Sequence, residues 1–210
     1  WGASTSAYQV EGANLEDGKG LALVDILPGG RERKEALFDN PQKALEHKYD
    51  FYPSHESIDF YHTYKEDIAL FAEMGFKAYR FSIAWTRIIP NGTGEINPKG
   101  IEFYNNLINE LIKYKIEPIV TMYHFDLPYE LQKKGGWGNR GTVEAFANYS
   151  KVLFENFGDR VKYWLTINEQ NMLTLVGPII GTLRIPEGTT NVLKEVYQQN
   201  HHMLVDQAKA

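Results

Sequence analysis

Cysteine is absent from the 210-residue sequence, which excludes disulfide frameworks, thiolate metal sites and cysteine nucleophiles. Basic residues do not outnumber acidic ones, since 22 Lys and Arg stand against 27 Asp and Glu, for a net charge of −5. Such a chain lacks the positive surface that phosphate backbones and anionic lipids attract. No apolar run approaches the roughly 18 residues of a membrane-spanning helix, and no signal-peptide pattern opens the sequence. We therefore expect a cytoplasmic globular protein that binds neither nucleic acid nor membrane.

Strand-like and helix-like segments alternate along the whole chain. Aromatic and β-branched residues predict strands at residues 2–10, 76–85, 116–125 and 161–168. Apolar residues at helical spacing predict helices at residues 59–74, from 97 onward, 142–157 and 190–208. Gly75 is suited to the left-handed end of the first helix, and Asn97 followed by Pro98 is a typical helix start.

This alternation indicates an α/β protein with a parallel sheet. It leaves two architectures open, a doubly wound open sheet and a (β/α)8 barrel. Residues 14–57 are interpreted as a long loop after the first strand, and no linker or repeat divides the chain. The sequence therefore predicts one domain, or part of one.

Two other motifs have simpler interpretations. Residues 136–141 match the glycine pattern of dinucleotide-binding proteins, which would suggest a nicotinamide oxidoreductase. The glycines follow the preceding strand by about ten residues, however, and Trp137 occupies the turn, so a glycine-rich turn before a helix is the better interpretation. His201 and His202 are adjacent and point in different directions on a helix, which argues against a metal site.

Polar residues gather where the predicted strands end, the position at which parallel α/β proteins carry their sites. They are Gln9, Glu11, Arg80, His124, Asp126, Asn168 and Glu169. Each could instead be a buried polar group, an ion-pair partner or a helix-terminal acid. Aromatic residues lie near the same strand ends and suit either pyranose rings or core packing; they are Tyr8, Trp85, Tyr123, Phe125, Trp137 and Trp164.

Four segments carry a resemblance to the N-terminal half of glycoside hydrolase family 1. They are SAYQVEGA at residues 6–13, the stretch 59–92, YHFDLPYELQKKGGW at 123–137 and LTINEQN at 165–171. The resemblance implies a (β/α)8 TIM barrel, of which residues 1–210 cover the first four strand–helix units as the N-terminal half of a single catalytic domain. It also implies a retaining β-glycoside hydrolase that needs neither a metal nor an organic cofactor.

The resemblance assigns roles to five residues. Glu169 matches the general acid/base, and Asn168 matches the residue that bonds the sugar 2-hydroxyl. Gln9 and His124 match substrate-binding positions, and Arg80 matches the arginine that supports the catalytic nucleophile. The nucleophilic Glu of the family follows the seventh strand, which these residues do not include. We therefore expect that the 210-residue chain alone is inactive and tends to associate.

Two departures from many β-glucosidases indicate the substrate branch. Phe125 replaces a Trp and Gln170 replaces a Pro, which makes the sequence more similar to enzymes that cleave 6-phospho-β-glucosides. The alternatives are a β-glucosidase or β-galactosidase of unphosphorylated substrates and a non-catalytic sugar-binding half-barrel. The residues leave the aglycone and the oligomeric state undetermined.

Overall fold

The computed structural model describes residues 1–33, 36, 46–180 and 183–210, with the side chains of residues 178–180 left out. In these ranges four parallel strands form one sheet in the order β1-β2-β3-β4, so each strand pairs with the next along the chain. The strands are β1 (Gly2–Ser4), β2 (Ala78–Ser82), β3 (Glu117–Tyr123) and β4 (Tyr163–Ile167). The predicted parallel α/β arrangement is confirmed.

Helices connect the strands. Those described are α1 (Ala7–Val10), α2 (Pro53–Glu56), α3 (Phe60–Glu73), α4 (Trp85–Ile88), α5 (Pro98–Lys113), α6 (Tyr129–Lys133), α7 (Gly141–Phe157), α8 (Gln170–Ile180) and α9 (Val192–Lys209). Short 3-10 segments occur at Glu16–Gly18, Leu23–Ile26 and Gly136–Gly138. None of the described helices is long and apolar enough to cross a membrane.

Local sequence signals set the ends of two long helices. Gly75 follows α3 with φ at 82°, a left-handed conformation that glycine adopts without steric cost. At the start of α5 the Asn97 side chain accepts a hydrogen bond from the Lys99 backbone nitrogen at 3.2 Å. Pro98 occupies the first helical position, where its missing N–H has no partner to lose. Both predicted helix ends are confirmed.

Three sequence predictions were wrong in detail. The first strand ends at Ser4 rather than residue 10, and residues 7–10 form α1, so Gln9 lies on a helix and Glu11 directly follows it. Helix α8 follows β4 where a loop was predicted. The predicted loop at residues 14–57 contains helical turns in its described part, while residues 34, 35 and 37–45 lie outside the described ranges.

The two faces of the sheet have different surroundings. Tyr79 and Phe81 of β2 are buried against the helices, where Tyr79 meets the rings of Phe60 and Phe71. Alternate residues face the other way because side chains in a strand alternate between faces, and Arg80 is therefore on the opposite face. The helix-covered face forms the main hydrophobic core, and the opposite face carries the polar groups described next.

Candidate active site

The carboxyl ends of β3 and β4 meet at one edge of the sheet. The backbone nitrogen of Asn168 donates to the carbonyl oxygen of Tyr123 at 2.9 Å, which extends the strand pairing past the last residue of β4. This bond places Asn168 and the following Glu169 beside His124, which follows Tyr123 in the chain. Three of the predicted site residues thus follow two paired strand ends at one edge of the sheet.

Arg80 links three strands through its guanidinium. Its Nε donates to the Thr121 hydroxyl on β3 at 2.9 Å, and its Nη2 donates to Asn168 Oδ1 at 2.5 Å. The Nη2 bond occupies the carbonyl oxygen of the Asn168 amide and leaves the amide nitrogen as the group that can donate to a ligand. Thr121 was not among the predicted site residues. The available signal was the alternation along β3, which turns Thr121 away from the buried apolar residues Val120 and Met122 and toward the face of Arg80.

Glu169 has an unusual backbone conformation. Its φ is 44°, a left-handed value that is sparsely populated by residues other than glycine. Its carbonyl oxygen accepts the first hydrogen bond of α8, from the Met172 nitrogen at 2.8 Å. Its side chain is exposed to solvent. Strained residues of this kind persist where the surrounding structure holds them, and they are frequent in active sites.

His124 is neutral at neutral pH. Burial of the ring and the neighbouring positive charge of Arg80 lower the pKa of His124 to about 4. A neutral imidazole offers one donor and one acceptor nitrogen. Its Nδ1 is buried without a hydrogen-bond partner among the described residues. His124 is only half-buried, so an entering hydroxyl group would meet the exposed part of the ring.

Helix α1 brings Gln9 toward the same edge. The Ala7 backbone nitrogen donates to the Ser82 hydroxyl at 2.7 Å, which attaches α1 to the end of β2. Gln9 is exposed, and its Oε1 accepts a hydrogen bond from the Ser6 hydroxyl at 2.6 Å. The Tyr8 ring lies 6.2 Å from the His124 ring, measured between centroids. Gln9 therefore lies on a helix rather than on a strand, next to Tyr8 in the chain.

Glu11 does not belong to this site. Its Oε2 accepts a hydrogen bond from Arg87 Nε at 2.7 Å, and its Oε1 accepts one from the Tyr104 hydroxyl at 2.6 Å. The Glu11 and Arg87 side chains are only 5% and 2% exposed. This buried pair joins the end of α1 to α4. Glu11 is therefore an ion-pair partner, which was the alternative that its sequence position left open.

Asp126 is also withdrawn from the surface. Its Oδ1 accepts a hydrogen bond from the His124 backbone nitrogen at 3.2 Å, while its buried Oδ2 has no partner among the described residues. Burial raises the pKa of Asp126 to about 7. Asp126 lines a small cavity whose lining also includes Lys19 and Thr86. Asp126 is therefore a buried residue that bonds the backbone of His124.

Several aromatic residues that suited a sugar ring are core residues instead. Trp85 is fully buried and stacks on Tyr149 at 4.9 Å between ring centroids. Trp137 is also buried, and its Nε1 donates to the Tyr123 hydroxyl at 3.2 Å. Since Trp137 lies in the 3-10 segment before α7, the glycines around it form a turn into that helix. Among the described residues no group of three or more His, Asp or Glu side chains could hold a metal ion.

A parallel sheet whose strands deliver polar groups to one edge is the arrangement of α/β enzymes, in which that edge carries the active site. The chain belongs to glycosyl hydrolase family 1, because the model of that family matches residues 1–210. It is 47% identical over 212 residues to the aryl-phospho-β-D-glucosidase BglH of Bacillus subtilis, covering 100% of this chain and 43% of that protein. It is 47% identical over 213 residues to the 6-phospho-β-glucosidase AscB of Escherichia coli, covering 100% of this chain and 44% of that protein.

Solved structures agree with this family. The β-glucosidase of Thermotoga maritima in complex with methoxycarbonyl-substituted glucoimidazole has a TM-score of 0.83 and 41% identity. The similarity covers 100% of this chain and 44% of that chain, so the chain spans less than half the length of these relatives. Such β-glucosidases are (β/α)8 barrels, and the predicted barrel, rather than the open sheet, is therefore confirmed.

Proposed function

We propose that residues 1–210 form the N-terminal half of a retaining β-glycoside hydrolase and that Glu169 is its general acid/base. The main support is the hydrogen bond between Arg80 and Asn168, which orders the amide beside Glu169 at the end of β4. Asn168 then donates to a substrate hydroxyl, while Gln9 and His124 hold the remaining hydroxyls of the sugar. Arg80, which matches the family's supporting arginine, would hold the second carboxylate.

The chemistry follows the two-step course of retaining glycosidases. Glu169 gives its proton to the glycosidic oxygen while a second carboxylate attacks the anomeric carbon. The bond to the leaving group breaks, and a glycosyl ester forms on that carboxylate. Glu169 then takes a proton from water, whose oxygen attacks the same carbon and releases the sugar. The two carboxyl groups need a separation of about 5–5.5 Å for this course.

The second carboxylate has to come from outside these residues. Of the acidic groups near the predicted strand ends, Glu11 is bonded to Arg87 and Tyr104, and Asp126 is buried. We therefore expect no hydrolysis of nitrophenyl β-glycosides by the isolated 210-residue chain. Turnover by this chain alone would contradict the proposal that the nucleophile lies elsewhere.

We further propose that the substrate is a 6-phospho-β-glucoside. The two relatives at 47% identity are named for phosphorylated glucosides, and each is matched by the whole of this chain. The test compares kcat/KM of the complete barrel protein on 4-nitrophenyl β-glucoside and its 6-phosphate. We expect the phosphate to be preferred by about 100-fold or more, a difference of roughly 2.7 kcal/mol in transition-state binding. Equal rates, or preference for the free glucoside, would refute this assignment.

The role of Glu169 is tested with Glu169→Gln in the complete barrel protein. General acid/base catalysis contributes about 10²–10⁴-fold, so we expect kcat/KM on a substrate with a poor leaving group to fall by that factor. Dinitrophenyl glycosides leave without protonation, and their kcat/KM should change little. Glu155→Gln, which changes an exposed glutamate on α7, is the matched control. An equal loss on both substrates would reject the assignment.

A further inference from the structure

Gln170 directly follows Glu169, and both polar atoms of its side-chain amide are hydrogen-bonded to another helix. Its Nε2 donates to Asn200 Oδ1 at 2.8 Å, and its Oε1 accepts a hydrogen bond from Gln207 Nε2 at 2.7 Å. Asn200 and Gln207 are seven residues apart on α9, which places them on the same helical face two turns apart. The first residue of α8 is thus held by a two-point amide contact to α9.

The backbone of Glu169 is therefore held on both sides. Before it, Asn168 is bonded through its backbone to Tyr123 and through its side chain to Arg80. After it, Gln170 is bonded to α9. Glu169 itself keeps a left-handed φ of 44° between these two anchored neighbours. Such a conformation is maintained only when the surroundings determine it, and the Glu169 side chain takes its direction from this backbone.

We propose that Gln170 is a positioning residue for the acid/base carboxyl of Glu169, acting with Asn200 and Gln207 of α9. This inference rests on the proposed function of Glu169. A general acid has to lie within hydrogen-bond reach of the oxygen it protonates, at about 2.6–3.2 Å. Without the Gln170 amide, Glu169 can relax toward ordinary backbone angles and leave that reach, while sugar binding by Gln9 and His124 is unaffected.

The experiment measures leaving-group dependence in the complete barrel protein. We expect Gln170→Ala to lower kcat/KM on a poor-leaving-group β-glycoside by about tenfold and to leave that on the dinitrophenyl glycoside within twofold. A merely structural role would lower both values together, because it would reduce the fraction of folded enzyme. Asn200→Ala and Gln207→Ala should show the same selective loss. The double variant Gln170→Ala/Asn200→Ala should be no worse than Gln170→Ala, since contacting residues are not additive.

The matched control is Gln198→Ala. Gln198 is an exposed amide on the same helix, and it bonds to His202 rather than to Gln170, so both substrates should be turned over at the wild-type rate. If Gln170→Ala does not fold, Gln207→Ala near the end of α9 gives the same readout. Equal losses on both substrates, or no loss in either, would overturn the proposal. If Glu169→Gln itself shows no leaving-group dependence, the proposed function fails and this inference fails with it. If Glu169→Gln shows the dependence and Gln170→Ala does not, only the role of Gln170 is rejected.

Discussion

We expect the buried pair of Glu11 and Arg87 to matter for stability because each side chain neutralises the charge of the other. Arg87→Met would leave the Glu11 carboxylate buried with the Tyr104 hydroxyl as its remaining side-chain donor among the described residues. Removing one partner of a buried pair costs about 3–5 kcal/mol, because the other charge is left uncompensated. Glu11→Gln falls in the same range of about 3–5 kcal/mol, because it leaves the Arg87 guanidinium buried without its carboxylate. Arg87 would keep its bond to the Gly12 carbonyl oxygen at 2.9 Å.

The double variant Glu11→Gln/Arg87→Met distinguishes coupling from simple addition. If the two losses added, it would lose about 6–10 kcal/mol. We expect about 3 kcal/mol, because no unpaired charge then remains buried and contacting residues couple by about 0.5–3 kcal/mol. The double variant should therefore be more stable than Arg87→Met alone.

Urea unfolding of the complete barrel protein, followed by tryptophan fluorescence, measures these differences. The control is Lys99→Met, which breaks an ion pair whose two side chains are 59% and 60% exposed. Its urea midpoint should not change, because exposed pairs contribute little. Additive losses in the double variant, or a loss for Arg87→Met as small as that of the control, would refute the reasoning.

Three further predictions concern the site and its surroundings. Arg80→Lys cannot keep both bonds of the guanidinium, so the Asn168 amide loses its fixed orientation. Steady-state kinetics should show kcat/KM about 100-fold lower. An unchanged kcat/KM would contradict the role of the bond between Arg80 and Asn168. Burial raises the pKa of Asp206 to about 8 from an ordinary 3.8, so its stabilising contribution is full below about pH 3.8 and lost as the pH rises through 8. Calorimetry should show a smaller fall in Tm from pH 5 to pH 8 for Asp206→Asn than for the wild type. The same dependence of Tm on pH in both proteins would reject this prediction. Hydrogen bonds to carboxylates raise the pKa of His62, while burial lowers the pKa of His124 to about 4. NMR titration should therefore give a midpoint above 6.5 for His62 and below 6.5 for His124. A His124 midpoint above 6 would contradict the burial of its ring.

Helix boundaries were predictable because their causes are local. The Asn97 cap and the left-handed Gly75 depend on residues within a few positions, so the pattern that predicts them is also the interaction that forms them. Helix α1 was not predictable in this way. Residues 2–10 alternate like a strand, but the backbone of Ala7 bonds to the Ser82 hydroxyl, 75 residues away. A distant contact overrode a weak local preference.

The sequence alone determined the alternation of strands and helices, the resemblance to the family and the residues to examine at the strand ends. Only the tertiary structure decided which of those residues act together. Arg80 meets Asn168 across 88 residues, whereas Glu11 turns away to meet Arg87 across 76. The position of a carboxylate or an amide in the sequence does not reveal its partner. That partner is set by how the strands and helices pack. Packing thus separated the catalytic candidate Glu169, held between anchored neighbours, from the structural Glu11.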